Sequence, residues 1–217
     1  MRTSARTVAI VTFEEIELLD VAGPLQVLTL AGRHWNFRPF RVHTLARAAG
    51  LVQTRNQLRF EAADSFDRCP RPEVLVVPGG YGARRALDDL ELIEWLRVSA
   101  AAAELVLGIG YGCLLLAKAG QLAGATIAAT RETAELVAQL EPSVTADPSL
   151  AVVGSGKLIT AASSFSGIDA TLRAVAKLLG VKLAQTVADT LGHDRRTAFD
   201  GPEPLRIEVV PQGEPKH

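Results

Sequence analysis

At 217 residues, 48% hydrophobic and 22% charged, the chain has the makeup of an ordinary globular domain able to bury a large core. A formal net charge of −1, with scattered arginines, excludes the electrostatic footprint of a nucleic-acid binder. No apolar run approaches the roughly 18 residues needed to span a bilayer, and the basic N-terminus enters a strand-like segment without a cleavage site, so no membrane partner is expected.

TVAIVTF (7–13) is short, β-branched and almost continuously apolar, the pattern of a buried strand. Glu14 and Glu15 read as solvated loop charges. IELLDVAGPLQVLTLAG (16–32) takes on helical spacing in its later part and stops at Gly32. Asp20 reads either as the N-cap of that helix or as a carboxylate aimed into a crevice, and spacing alone favours the cap. PFRVHTLA (39–46), LVQT (51–54) and LRFEA (58–62) are strand-like and separated by turns, which suggests a small antiparallel insertion.

EVLVV (73–77) is the next buried strand and ends in Pro78-Gly79-Gly80. DDLELIEWLRVSAAAA (88–103) has helical spacing. ELVLGIG (104–110) reads as a third parallel-type strand, with YGCLLLAKAG (111–120) as its helix. RETAELVAQL (131–140) is helical, and AVV (151–153) and KLITAA (157–162) are strands. Ser163-Ser164-Phe165-Ser166 reads as a cap ahead of GIDATLRAVAKLLG (167–180), and VKLAQTVADTLG (181–192) is the closing helix. The segment beyond carries EPLRIEVVP (203–211), an edge strand or a partner-binding arm.

Strands alternating with helices indicate an α/β fold: one domain over 1–192, with a C-terminal tail over 193–217. Ligands of such sheets sit beyond the carboxyl ends of the strands. Residues 13–20, 78–82 and 108–113 converge there, and their glycines let backbone amides approach an anion or oxyanion. The two cysteines, Cys69 and Cys113, suit a reducing cytoplasm, where the protein is expected. The four histidines are far apart with no zinc-like spacing, so neither metal nor cofactor is expected.

IELLDVAGPLQVL (16–28), VLVVPGGYGARRAL (74–87), LLLAKAGQLAG (114–124) and SGIDATLRAVAKLLG (166–180), in that order, resemble the DJ-1/PfpI (ThiJ/PfpI) superfamily. Within it they look most like the isonitrile-hydratase-like branch, which also supplies ligand domains of some AraC-type regulators. The resemblance implies a flavodoxin-like three-layer α/β sandwich of the class I glutamine amidotransferase-like kind, with a mostly parallel sheet, usually as a homodimer. It also implies a cysteine nucleophile on a strained turn, an acidic partner at Asp20, and oxyanion donors at Gly79, Gly80 and the amide after the nucleophile.

The elbow departs from that pattern. Read backwards from LLLAKAG, Gly112 falls on the motif glycine, Tyr111 on the threonine and Gly110 on the cysteine. Cys113 then lies about one turn inside the helix, where a thiol is usually a small buried hydrophobe, and it stays only a minor candidate nucleophile. Thr130 occupies the place of the family's histidine.

The leading expectation is therefore a degenerate site, a pseudoenzyme binding a small polar or anionic ligand through Asp20, Gly79, Gly80, Gly110, Tyr111 and Thr130. Two alternatives remain open. One is a hydratase or hydrolase in which Asp20 activates water directly. The other is a regulatory protein without its own DNA-binding module, since the chain leaves no room for one.

Overall fold

The computed structural model describes residues 4–34 and 39–194. In chain order they form β1 (Arg6–Val11), α1 (Leu18–Arg33), β2 (Phe40–Ala46), β3 (Gly50–Gln53), β4 (Arg59–Ala62) and β5 (Asp64–Ser65). Next come β6 (Val74–Val77), α2 (Gly82–Ala86), α3 (Leu90–Ala102), β7 (Leu105–Ile109) and α4 (Gly112–Lys118). β8 (Thr126–Ala128), α5 (Arg131–Leu140), β9 (Thr145–Asp147), β10 (Val152–Ser155), β11 (Leu158–Ala161), α6 (Ser164–Leu179) and α7 (Val181–Leu191) follow.

Seven strands make the main sheet, in the order β10-β11-β7-β6-β1-β2-β5. All its neighbours run parallel except the β10–β11 hairpin. The alternating residues of the buried strands divide the core in two. Val8, Ile10, Val76 and Leu107 face α1, α6 and α7, whereas Ala9, Val11, Leu75 and Val106 face α3, α4 and α5. This is the expected flavodoxin-like sandwich of three layers, and it explains why these strands read as continuous apolar runs.

The 39–46 strand does not belong to the insertion. It is β2, parallel to β1 with Val8 opposite Val42, because α1 carries the chain back across the sheet as a βαβ crossover. The antiparallel insertion is β3 and β4 alone. α6 starts at Ser164, three residues earlier than the spacing suggested, because Ser163 and Ser166 form a reciprocal capping box. The short α2 and β9 carried no periodic signal. EPLRIEVVP lies outside the described residues.

Candidate functional site

The loops after β1, β6 and β7 meet at the carboxyl end of the sheet, and glycines set how closely. A Cβ added to Gly79 would lie 2.7 Å from the Ile109 carbonyl oxygen, 2.8 Å from the Tyr111 nitrogen and 3.0 Å from Asp20 Oδ2. One added to Gly112 would come within 2.0 Å of the Val77 carbonyl oxygen. Side chains are excluded at both positions by backbone, so these glycines allow β6, β7 and the start of α1 to share one site.

Gly110 sits between β7 and the first turn of α4 with φ 51°, the left-handed conformation of a strand-to-helix elbow. β7 is third in the sheet, one strand away from the central β6. A Cβ on Gly110 would meet no atom within 4 Å beyond its own chain neighbours.

Cys113 lies in α4 and is 0% exposed. Its sulfur comes within 3.2 Å of where a Gly108 Cβ would stand, which places the thiol against β7 and explains the glycine in the middle of that strand. Burial, helped by the Asp20 charge, pushes the thiol up to about 12. A thiol so enclosed packs as a small hydrophobe.

Asp20 is not a helix cap. α1 begins at Leu18 with Glu17 in the N-cap position, so Asp20 falls in the first turn and turns inward, 3% exposed. Its Oδ2 accepts the Gly79 N–H at 2.8 Å, and its Oδ1 is buried without a hydrogen-bond partner. Burial pushes the carboxyl up to about 6, with the nearby Ser164 hydroxyl and the Gly79 amide pulling it down and Glu17 pushing it further up.

The Gly79 amide is thus taken by Asp20 and is not free to bind an oxyanion, contrary to the role the family pattern gives it. The Gly80 and Tyr111 amides have no acceptor among the described residues.

These groups line an open cleft of about 300 Å³. Asp20, Gly80, Gly110, Tyr111 and Thr130 all border it, and Gly79 lies behind them. Thr130 is the N-cap of α5, its hydroxyl accepting the Thr133 N–H at 3.2 Å, so helix capping already occupies the residue at the histidine position. Ser163 likewise caps α6. The Tyr111 phenol is pushed up to about 12 by burial and by the neighbouring Glu132 carboxylate, and it remains a hydrogen-bond donor at any physiological pH.

Sequence reasoning missed Glu17, Arg55, Tyr81 and Glu132, which also border the cleft. Glu17 lies one helical turn before Asp20, a spacing that would have placed both acids on one face. Arg55 carried no local signal, because its position depends on tertiary pairing. The Glu15 N–H donates to the Gln53 carbonyl and the Arg55 N–H to the Ile16 carbonyl, docking the β3–β4 turn beside the site. There the Arg55 guanidinium stacks over the Tyr81 ring at 4.8 Å, with Arg84 also 5.8 Å from the same ring. Arg84 approaches Glu132 at 3.8 Å.

The chain also shows its likeness to known proteins. Residues 6–177 match the DJ-1/PfpI family. An isonitrile hydratase of Pseudomonas putida is 28% identical over 92% of this chain and 84% of its own. Among solved structures, a ThiJ/PfpI family protein from Pseudomonas syringae superposes with a TM-score of 0.80 at 22% identity, over 93% of this chain and 78% of that one. An AraC family transcriptional regulator from Pseudomonas putida gives 0.77 at 23% identity, over 86% and 99%. DJ-1beta of Drosophila melanogaster gives 0.76 at 19%, over 88% and 100%.

Proposed function

We propose that this chain, which belongs to the DJ-1/PfpI family, uses its carboxyl-end crevice to bind a small polar ligand without covalent catalysis. One observation carries the reading. The elbow position that would present a nucleophile is Gly110, with open space above it, while the thiol nearest in sequence, Cys113, is packed away against β7. The acid that would serve such a nucleophile is still in place, with one oxygen unpartnered.

What remains can hold a ligand. Asp20 Oδ1 offers an acceptor, or a donor when protonated, and the Gly80 and Tyr111 amides offer donors on neighbouring loops. A volume of about 300 Å³ is at the small end of ligand pockets and suits a metabolite of few heavy atoms. Three carboxylates (Glu17, Asp20 and Glu132) and the Arg55 guanidinium border the cleft, and with Glu132 met by Arg84 two acids remain against one guanidinium. That balance disfavours a simple anion, one of the ligand types expected from sequence, and favours a neutral or positively charged group at the inner end.

A second reading is an isonitrile-hydratase-like lyase or a hydrolase in which Asp20 activates water. The Pseudomonas putida relative and a carboxyl poised near 6 favour it. Without a thiolate, a single acid–base group supplies only about 10²–10⁴-fold acceleration. A regulatory role is compatible with the same pocket, and an AraC family transcriptional regulator shares the fold.

The test is a panel of isonitriles, esters and α-oxoaldehydes offered to the wild type, Asp20→Asn and Gly110→Cys. The expected outcome is no appreciable turnover by any of them, since Tyr111 and Thr130 stand where the threonine and histidine of the family site would be. Robust wild-type turnover abolished by Asp20→Asn rejects the binding reading and installs the hydratase.

A further inference from the structure

Glu132 is met by Arg84, but the other charged groups of the cleft are unpaired. Asp20 Oδ1 is buried and makes no hydrogen bond, although the Ser164 hydroxyl stands near the carboxyl, and Glu17, close enough to repel the Asp20 charge, has no cation within ion-pairing distance among the described residues. Arg55 borders the same cleft yet pairs with neither acid, and its guanidinium instead lies over the Tyr81 ring, 4.8 Å from its centroid. Two like charges left facing an opening, one of them nearly fully buried, are an unfavourable arrangement in the empty protein. A ligand cation between them relieves both the repulsion and the unmet acceptor. A guanidinium held by an aromatic face rather than by a carboxylate keeps N–H donors for a ligand carboxylate.

We propose that the cleft takes a small zwitterion, a primary ammonium joined to a carboxylate as in a free amino acid. The ammonium is seated between Glu17 and Asp20 Oδ1, and the carboxylate is held by Arg55. This rests on the binding-site reading and names its ligand class. An ammonium supplies three donors: one meets Oδ1, one meets the Glu17 carboxylate, and the third faces the open side of the cleft. Arg55 then selects against plain amines, and the Glu17–Asp20 pair selects against plain acids. Neither discrimination depends on chemistry at Gly110.

A matched five-carbon series tests the assignment by isothermal titration calorimetry on the full chain. The probes are norvaline, 5-aminopentanoate, pentylamine, pentanoate and pentanamide. One of the two amino acids should bind about tenfold or more tightly than the amine, the acid and the amide, the scale of one lost charge-assisted contact. Glu17→Gln should erase the preference over pentanoate, and Arg55→Ala the preference over pentylamine. Thermal unfolding of each variant checks that it is folded.

Pentanoate or pentanamide binding as tightly as the amino acids, with no response to Glu17→Gln, overturns the zwitterion. If that binding still depends on Asp20, the binding-site reading survives. No binding of any probe at millimolar concentration also overturns the zwitterion. Failure of the binding-site reading is distinct, because it is read from Asp20-dependent turnover.

Discussion

Replacing Asp20 by Asn should make the protein more stable at neutral pH and leave it unchanged in acid. The carboxyl sits at 3.8 in the unfolded chain and at about 6 in the fold, chiefly because burial penalises the charged form. Below pH 3.8 both states are protonated and the group contributes nothing. Between 3.8 and about 6 the native state holds a proton that the unfolded state has released, so stability falls as pH rises. Above about 6 the native carboxylate is ionised and the full cost is present, about 3 kcal/mol at roughly 1.4 kcal/mol per pH unit of displacement. Asn is isosteric and never ionises, and its amide oxygen can still accept the Gly79 N–H that Oδ2 accepts at 2.8 Å. Urea unfolding of both proteins from pH 4 to pH 8 reads the difference directly, because the midpoint shifts while the slope stays fixed. The variant should gain about 2.4 kcal/mol on the wild type across that range, nearly all of it by pH 7. A constant difference, or a wild type that gains on the variant as pH rises, refutes the assignment of Asp20 as a buried carboxylate under strain.

Other outcomes follow from the same coordinates. Iodoacetamide should leave Cys113 unmodified in the native protein and label it after unfolding, as read by peptide mass spectrometry; rapid native alkylation there would shift the elbow to residue 113. Gly110→Ala should cost only about 1–2 kcal/mol, the price of φ 51° for an L-residue in open space. Gly79→Ala should cost about 3 kcal/mol or more, since its Cβ would press on backbone atoms 2.7 and 2.8 Å away; equal costs in denaturant titrations would contradict the geometry. The homodimer implied by the family pattern is checked by light scattering at micromolar concentration, where a stable monomer would refute it.

The sheet's inner strands were legible because a strand buried on both faces cannot be other than apolar, as in Ala9–Val11 and Val74–Val77. Gly110 at the elbow could be read from its distance to LLLAKAG, since the apolar α4 fixes where the helix must begin. β2 was misassigned because its burial is uneven along its length, so a strand inside the main sheet looked like part of a half-exposed insertion. Spacing leaves Asp20 between a cap and a crevice carboxylate because first-turn acids and capping acids occupy the same few positions. Only the proximity of Gly79, 59 residues away in the chain, distinguishes the two roles. The rim was illegible for a related reason. Arg55 and Tyr81 come from separate loops, and only the docking of the β3–β4 turn onto the loop after β1 brings them together.

The energetics of Asp20 bear on what the pocket is for. A chain selected only to fold would gain by neutral Asn or a small apolar residue there, because the carboxylate leaves one buried oxygen unsatisfied and faces the charge of Glu17. Helix capping does not account for it, since α1 starts before it and no side chain caps that end. Anchoring the Gly79 amide does not require a charge either, because an amide oxygen accepts the same bond. A residue that lowers stability at neutral pH, in contact with a cleft and beside an open elbow, has its compensation outside the empty fold. Perturbed buried acids of this kind concentrate where a ligand supplies the missing partner. The gap between the wild type and Asp20→Asn should therefore nearly close once ligand saturates the cleft: binding to the native state alone adds about 2.7 kcal/mol at a hundredfold excess over Kd. With norvaline or 5-aminopentanoate at that excess, the wild type should approach the variant in unfolding midpoint at pH 8. An undiminished advantage for the variant would show that Asp20 has no ligand to meet.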